Sequence, residues 1–307
     1  MDLKLILRWT GRFILLLVLY FILFVIGSMA LTGMMPDTPS EPGLIPGTMG
    51  FLVFGLLNTL LIMALLLSSR WHGWKLALTM AFAYFGAVTF LTQIETWYFM
   101  SEVTATAGLL PRLFIMGLPI AFIYIPLAVV ILGKRKAKEP LEPRFTLKMP
   151  VKQWIIKLVA IAVVYIVLYW GAGYFIAWQN PDLRAFYGSP GAILPFWEHF
   201  NSALASDPGL FPFQALRAML WTLCAIPVIW GSKLKVWGTA LLVGFLFTVP
   251  QVLGLTLENP LMPSASVRLS HLIEGLASNI VFGMLVVWLL HREHRSIGDL
   301  FGKTNSF

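Results

Sequence analysis

The chain has 307 residues, of which 58% are apolar and only 12% charged, with a mean hydropathy of +0.81. That composition excludes a soluble domain of this length and points to a membrane protein. A single cysteine, Cys224, excludes an internal disulfide framework and a multi-cysteine metal site.

Eight apolar segments are long enough to cross a bilayer. They fall near Arg12–Thr32, Met49–Ser68, Trp74–Ile94, Leu113–Leu132, Trp154–Trp178, Phe213–Trp230, Val236–Leu257 and Leu269–Leu290. The first is too long for the apolar part of a signal peptide and lacks a small-residue cleavage site, so it is read as a retained span. With both termini placed in the cytoplasm, 18 of the 22 Lys and Arg fall on the inner side, and only Arg112, Arg184, Arg217 and Arg268 on the outer. This is a positive-inside pattern. The net charge of +8 therefore reports topology and an inner surface facing lipid headgroups, and no nucleic-acid partner is expected. The expected location is a bacterial inner (cytoplasmic) membrane.

The halves resemble each other. Trp9, Arg12 and Tyr20 align without a gap on Trp154, Lys157 and Tyr165. Arg70, Trp74 and Glu95 align on Lys233, Trp237 and Glu258, and Arg112 on Arg268. The expected fold is all-α, with eight spans in a four-plus-four parallel repeat about a pseudo-two-fold along the membrane normal. Residues 1–133 form the first unit, 134–150 a basic proline-containing cytoplasmic linker, 151–291 the second unit and 292–307 a cytoplasmic tail. The outer connection 179–212 of the second unit is long. The short Pro36–Pro46 stretch corresponds to it in the first, and both carry proline and glycine suited to a lid.

Polarity is concentrated in the last span. Arg268, His271, Glu274, Ser278 and Asn279 occupy an arc of about 140° on a helical wheel. Their aligned partners His271/Ile115, Glu274/Leu118, Ser278/Phe122 and Asn279/Ile123 show that the unit can be built with an apolar stripe. A charge facing lipid costs at least about 2.5 kcal/mol, so the stripe must face protein or water. In the seventh segment Gly244, Thr248, Gln251 and Glu258 share a face, and Pro250 is expected to kink or open the helix.

These features predict one outward pocket lined by Arg217, Gln251, Glu258, Arg268, His271, Glu274, Ser278 and Asn279. Arginine would hold an anionic group, glutamate a cationic one, and His271 would titrate between them. Glu95 and Arg112, like Glu258 and Arg268, are expected to pair at the outer helix ends, as interfacial salt bridges or as a gate. His271 and Glu274 have the i, i+3 spacing for a shared metal, with Glu258 or His199 completing the set. No HExxH motif is present, so no metal or other cofactor is expected.

The primary functional expectation is a protein that binds, and in one version translocates, a small polar or lipid-headgroup-like ligand. The alternatives are a membrane-embedded enzyme acting on a lipid or lipid-linked substrate, and a non-catalytic membrane subunit. Membrane lipids, a second copy of the chain or a membrane protein are the expected partners.

Overall fold

Every apolar segment read from the sequence is a helix in the computed structural model, which describes residues 3–100, 108–136, 142–145, 147–294 and 299. Eight helices are long and apolar enough to span a bilayer. They are span 1 Leu3–Leu31, span 2 Gly47–Ser68, span 3 Gly73–Phe99 and span 4 Leu109–Ile131. Then come span 5 Val151–Gln179, span 6 Leu210–Gly231, span 7 Val236–Gly254 and span 8 Ala265–Leu290. No strand occurs among the described residues, so the protein is an all-helical integral membrane protein. The connections 32–46, 179–209 and 255–264 gather at one end of the helices, called the loop face.

The long connection carries two short helices, Pro181–Phe186 and Phe196–Ser206. Asn180 caps the first by accepting from the Asp182 amide. Arg184 is buried and donates to the carbonyls of Trp178, Gln179 and Gly191, which folds residues 178–191 into a closed arch. The second helix docks on the end of span 5 through Phe196, His199 and Phe200, one face by their i, i+3, i+4 spacing.

One buried cluster runs through both halves, from Leu16 and Tyr20 to Val286 and Leu290. Span 2 packs on span 7 and span 6 on span 3. Between them, Ser69 and Ser232 form an isolated antiparallel bridge. The Arg70 amide donates to Gly231 O at 2.7 Å and the Lys233 amide to Ser68 O at 3.0 Å. Spans 7 and 8 meet backbone to backbone. A Cβ on Gly283 would lie 2.6 Å from Gly244 Cα, so this crossing requires glycine. The linker segment is packed at both ends. Lys134 is buried with its Nζ on Ser69 O at 2.5 Å, and Phe145 belongs to the core. Residues 137–141 and 146 of the linker, and most of the 292–307 tail, lie outside the described residues.

Two helices depart from regular geometry. Span 3 loosens to i→i+5 hydrogen bonding over Phe85–Phe90 and span 4 over Ile120–Tyr124, just after Pro119. Span 7, in contrast, runs continuously through Pro250 to Gly254. It does not open at the proline as the sequence suggested. It stops at Gly254 instead, and Leu255–Leu257 turn away, so Glu258 lies beyond the helix and off its polar face.

Arg268 has a structural position that the wheel did not predict. It is wholly buried in the first turn of span 8. Its guanidinium donates to four carbonyls: Met262 at 2.7 Å, Pro263 at 2.9 Å, Glu41 at 2.9 Å and Pro42 at 2.6 Å. Glu41 returns the contact, its Oε2 accepting from the Ala265 amide at 2.6 Å at the start of the same helix. Gly43 allows the approach, because a Cβ there would meet Thr256 O at 2.8 Å. The 36–46 stretch is therefore pinned over the connection between spans 7 and 8, and does not form a separate lid.

Arg268→Met should remove this clamp. Stripping several buried carbonyls of a charged donor is expected to lower stability by roughly 3 kcal/mol or more. Thermal unfolding of the purified protein in detergent measures it, and an unchanged midpoint would show that the clamp does not hold the two connections together.

Candidate functional site

A cavity of about 800 Å³ opens on the loop face among spans 3, 5, 6, 7 and 8 and beneath the 179–212 connection. Five of the eight residues expected at the pocket line it from spans 7 and 8: Gln251, His271, Glu274, Ser278 and Asn279. Arg217 joins them from span 6. Arg268 and Glu258 do not. Arg268 serves the clamp, and Glu258 accepts from Ser40 Oγ at 2.6 Å in the loop above.

Two ionic groups meet in the cavity. Arg217 Nη2 lies 2.5 Å from Glu95 Oε2, and Arg217 Nη1 donates to Gln214 Oε1 at 2.9 Å. The guanidinium lies over the rings of Tyr165 and Phe213, at 5.8 and 5.9 Å from their centres. Glu95 was expected to pair with Arg112 at a gate. It pairs across the two halves with Arg217 instead, and Arg112 is exposed with Nη1 on Ala30 O at 3.3 Å. Their separation has a simple cause: span 3 continues to Phe99, so Glu95 is a full turn inside the helix and faces the cavity.

The second group is a chain of three. His271 Nδ1 lies 2.9 Å from Glu274 Oε2, and Nε2 lies 3.0 Å from the Tyr187 hydroxyl. The i, i+3 spacing on span 8 makes the first contact. The arch held by Arg184 delivers Tyr187 to the second. Burial first, then Glu95 and Glu274, raises the Tyr187 phenol above its ordinary value, so it stays protonated. With a neutral imidazole, Tyr187 donates to Nε2 and Nδ1–H donates to Glu274; a protonated imidazole donates to both. Ser278 Oγ donates back to Glu274 O at 2.8 Å. Ser270 lies off this stripe, held by Asn180 Nδ2 at 2.9 Å.

Gln251 illustrates how a polar side chain is accommodated here. Its Nε2 donates to Ala87 O at 3.1 Å, within the loosened turn of span 3. An i→i+5 turn leaves carbonyls without their usual helical donor, and the Gln251 amide supplies one.

The aromatic wall was missed by sequence reasoning. Tyr165, Tyr169, Trp170, Tyr174, Trp178 and Tyr187 all line the cavity. His199 is enclosed by Trp170, Tyr174 and Trp178, with ring centroids 5.0, 5.6 and 5.1 Å away, and burial lowers its pKa. The available signal was the recurrence of aromatic residues at i, i+4 and i+8 along one face of span 5, at Trp170, Tyr174 and Trp178. Both ring nitrogens of His271 are engaged, Glu258 is elsewhere, and His199 is stacked. Among the described residues no three His, Cys, Asp or Glu side chains converge as a metal site would need.

The cavity is closed at its deep end. Tyr165 packs on Phe282 at 4.6 Å, and Trp221 and Phe247 continue the plug at 4.3 Å. Trp221, Phe247 and Phe282 are all buried. Asn58, a polar residue deep in span 2, is sealed. Its Nδ2 donates to Phe54 O and its Oδ1 accepts from Tyr84.

Comparisons with protein-family models, with curated proteins and with solved structures returned no match, so the site is argued from its own geometry.

His271→Ala and Glu274→Gln should leave folding nearly intact, with unfolding midpoints close to wild type, because both side chains border the cavity and are not in the core. Arg217→Ala should be markedly less stable, since it strips Glu95 and Gln214 of a buried partner. Size-exclusion profiles and thermal melts of the three variants check this; equal losses in all three would mean that the His271–Glu274 pair is structural packing.

Proposed function

We propose that the protein binds a small polar or lipid-headgroup-like ligand in this cavity, entering from the loop face, and that a positively charged group on the ligand is met by Glu95 and Glu274. One observation carries the reading: three carboxylates, Glu95, Asp207 and Glu274, border the same aromatic-walled cavity, Asp207 already accepting from the Tyr98 hydroxyl, and its one guanidinium from the spans is engaged with Glu95 and Gln214. Arg217 thereby offsets Glu95, while Glu274 is offset only when His271 carries a proton. An ammonium group gains from the carboxylates and from the ring faces of the wall. A volume of about 800 Å³ suits a small molecule or a headgroup.

The reading includes the four-plus-four repeat and the cytoplasmic placement of the termini. Supporting the repeat, Ser69 and Ser232 are aligned positions and bridge to one another, and the packing of span 2 on 7 is matched by span 6 on 3. The aligned region of the first half is filled by stacked rings of Tyr20, Phe24, Phe51 and Phe54. The cavity is thus built mainly from the second half, with span 3 of the first lending Glu95. Translocation would require the plug at Trp221, Phe247 and Phe282 to part, so binding is the primary activity proposed. The subunit alternative expects the span 8 stripe to face outward. The placement of His271, Glu274, Ser278 and Asn279 on the cavity favours a ligand instead.

A second reading is favoured by the Glu274–His271–Tyr187 chain. A carboxylate that orients an imidazole, which in turn holds a hydroxyl, is an arrangement suited to general acid–base chemistry. It fits a membrane-embedded enzyme acting on a lipid or lipid-linked substrate at the loop face.

Titrating the purified protein with choline, ethanolamine and glycerol phosphate, read by tryptophan fluorescence, tests the first reading. Trp170 and Trp178 should report saturable binding of the two ammonium compounds, weakened about tenfold or more by Glu274→Gln, a loss of roughly 1.4 kcal/mol. Binding of glycerol phosphate alone, or binding indifferent to Glu274, would contradict it. Tyr187→Phe separates the two readings. A binding site should keep its affinity within about twofold, because the ring remains; an enzyme should lose turnover of its substrate while still binding it.

A further inference from the structure

A second, apolar groove of about 460 Å³ lies on the opposite face of the protein, between the end of span 2 and the start of span 7. Ala64 and Leu67 form one wall, and Gly238, Leu241 and Phe245 the other. Leu241 and Phe245 are each 43% exposed, so the groove faces the surrounding bilayer. From Val236 to Phe245 it runs about 14 Å along span 7, close to the depth of one leaflet's hydrocarbon at about 15 Å.

Its membrane-surface end is cationic. Lys233 lines the groove itself and is exposed. His72 and Lys134 lie within electrostatic reach of Lys233 and of each other. No acidic residue occurs in the three segments that meet here, 69–75, 133–136 and 232–237. Burial and then Lys233 push the Lys134 ammonium down to about 8, as expected where like charges crowd. Exposed Trp74 and Trp237, each 73% accessible, mark the headgroup level beside Lys233. Across the Ser69–Ser232 bridge the charges are used differently. Arg70 folds back on Trp230 O at 3.1 Å, and Lys75 sits over the Trp71 and Trp230 rings. Lys233 is the cation placed at the mouth of an apolar groove.

We propose that this groove is a binding site for an anionic phospholipid, with one acyl chain along span 7 and the phosphate-bearing headgroup on Lys233. A chain alone would be satisfied by any lipid, and a headgroup alone by any basic surface. The site joins the two at a spacing that a single lipid molecule bridges, and the gathered cations Lys233 and Lys134 select a negative headgroup. Bound there, the lipid would cover the seam where spans 2 and 7 bring the two halves together. This site is independent of the loop-face cavity.

Native mass spectrometry of the full chain, with phosphatidylglycerol and phosphatidylcholine of identical chains, tests the proposal. Phosphatidylglycerol should be retained at least fivefold more than phosphatidylcholine. Lys233→Gln should bring the ratio to about one. Ala64→Phe, at an exposed position, should reduce retention of phosphatidylglycerol by filling the groove. Lys235→Gln, beside the site but not lining it, should leave the ratio unchanged. Equal retention of the two lipids by the wild type would overturn the proposal. So would an equal effect of Lys235→Gln and Lys233→Gln, which would indicate diffuse surface charge. Displacement of the lipid by glycerol phosphate at matched concentration would overturn it too, by showing that the groove contributes nothing.

Discussion

Water is missing from the interior of a bilayer, so each polar group placed there has to be met by the protein itself. That constraint organises the arrangement of spans 3, 6, 7 and 8. Glu95 and Arg217 come from different halves of the chain and meet at 2.5 Å, while Gln251 of span 7 satisfies a carbonyl in the loosened turn of span 3. Each of these contacts ties one half to the other at the depth of the cavity. The polar groups therefore serve two purposes: they hold spans together, and they leave a rim of carboxylate and imidazole around the cavity.

The halves meet the same constraint in different ways. In the first, rings of Tyr20, Phe24 and Phe54 fill the interior, and the few polar groups close on one another, as Asn58 does with Tyr84. In the second, the carboxylate of Glu274 needs a partner and His271 is set one turn before it, while Ser278 one turn after donates to the Glu274 backbone carbonyl. The long connection then supplies Tyr187 from outside the bilayer to complete the chain. The rings of Trp221, Phe247 and Phe282 lie between the cavity and the apolar core beneath it.

Much of this was legible in the residues. Apolar runs located all eight spans, since the bilayer sets their length. The intramembrane residues Arg217, Gln251, His271, Glu274, Ser278 and Asn279 were identified by the cost of leaving them in lipid, and they do converge. Arg268 and Glu258 failed for a local reason. Gly254 ends span 7 before Glu258, and Arg268 is at the helix start, where its partners are carbonyls of Glu41 and Pro42 more than 220 residues away. No wheel can show a partner that belongs to another loop. The same limit hid Tyr187: its contact with His271 depends on how Arg184 folds the intervening arch. Glu95 was seen, but its partner was assigned by proximity in the chain, when the cross-half Arg217 had the better geometry.

The central claim is a one-ended cavity that brings water to Glu274 and Ser278 from the loop face only. Single-cysteine labelling in a Cys224→Ala background measures it directly. Ser278→Cys should react with a membrane-impermeant thiol reagent added on the loop face and not from the opposite face, while Asn58→Cys should react from neither. A Ser278→Cys thiol that is silent from both faces, or that reacts from the opposite one, would contradict the account.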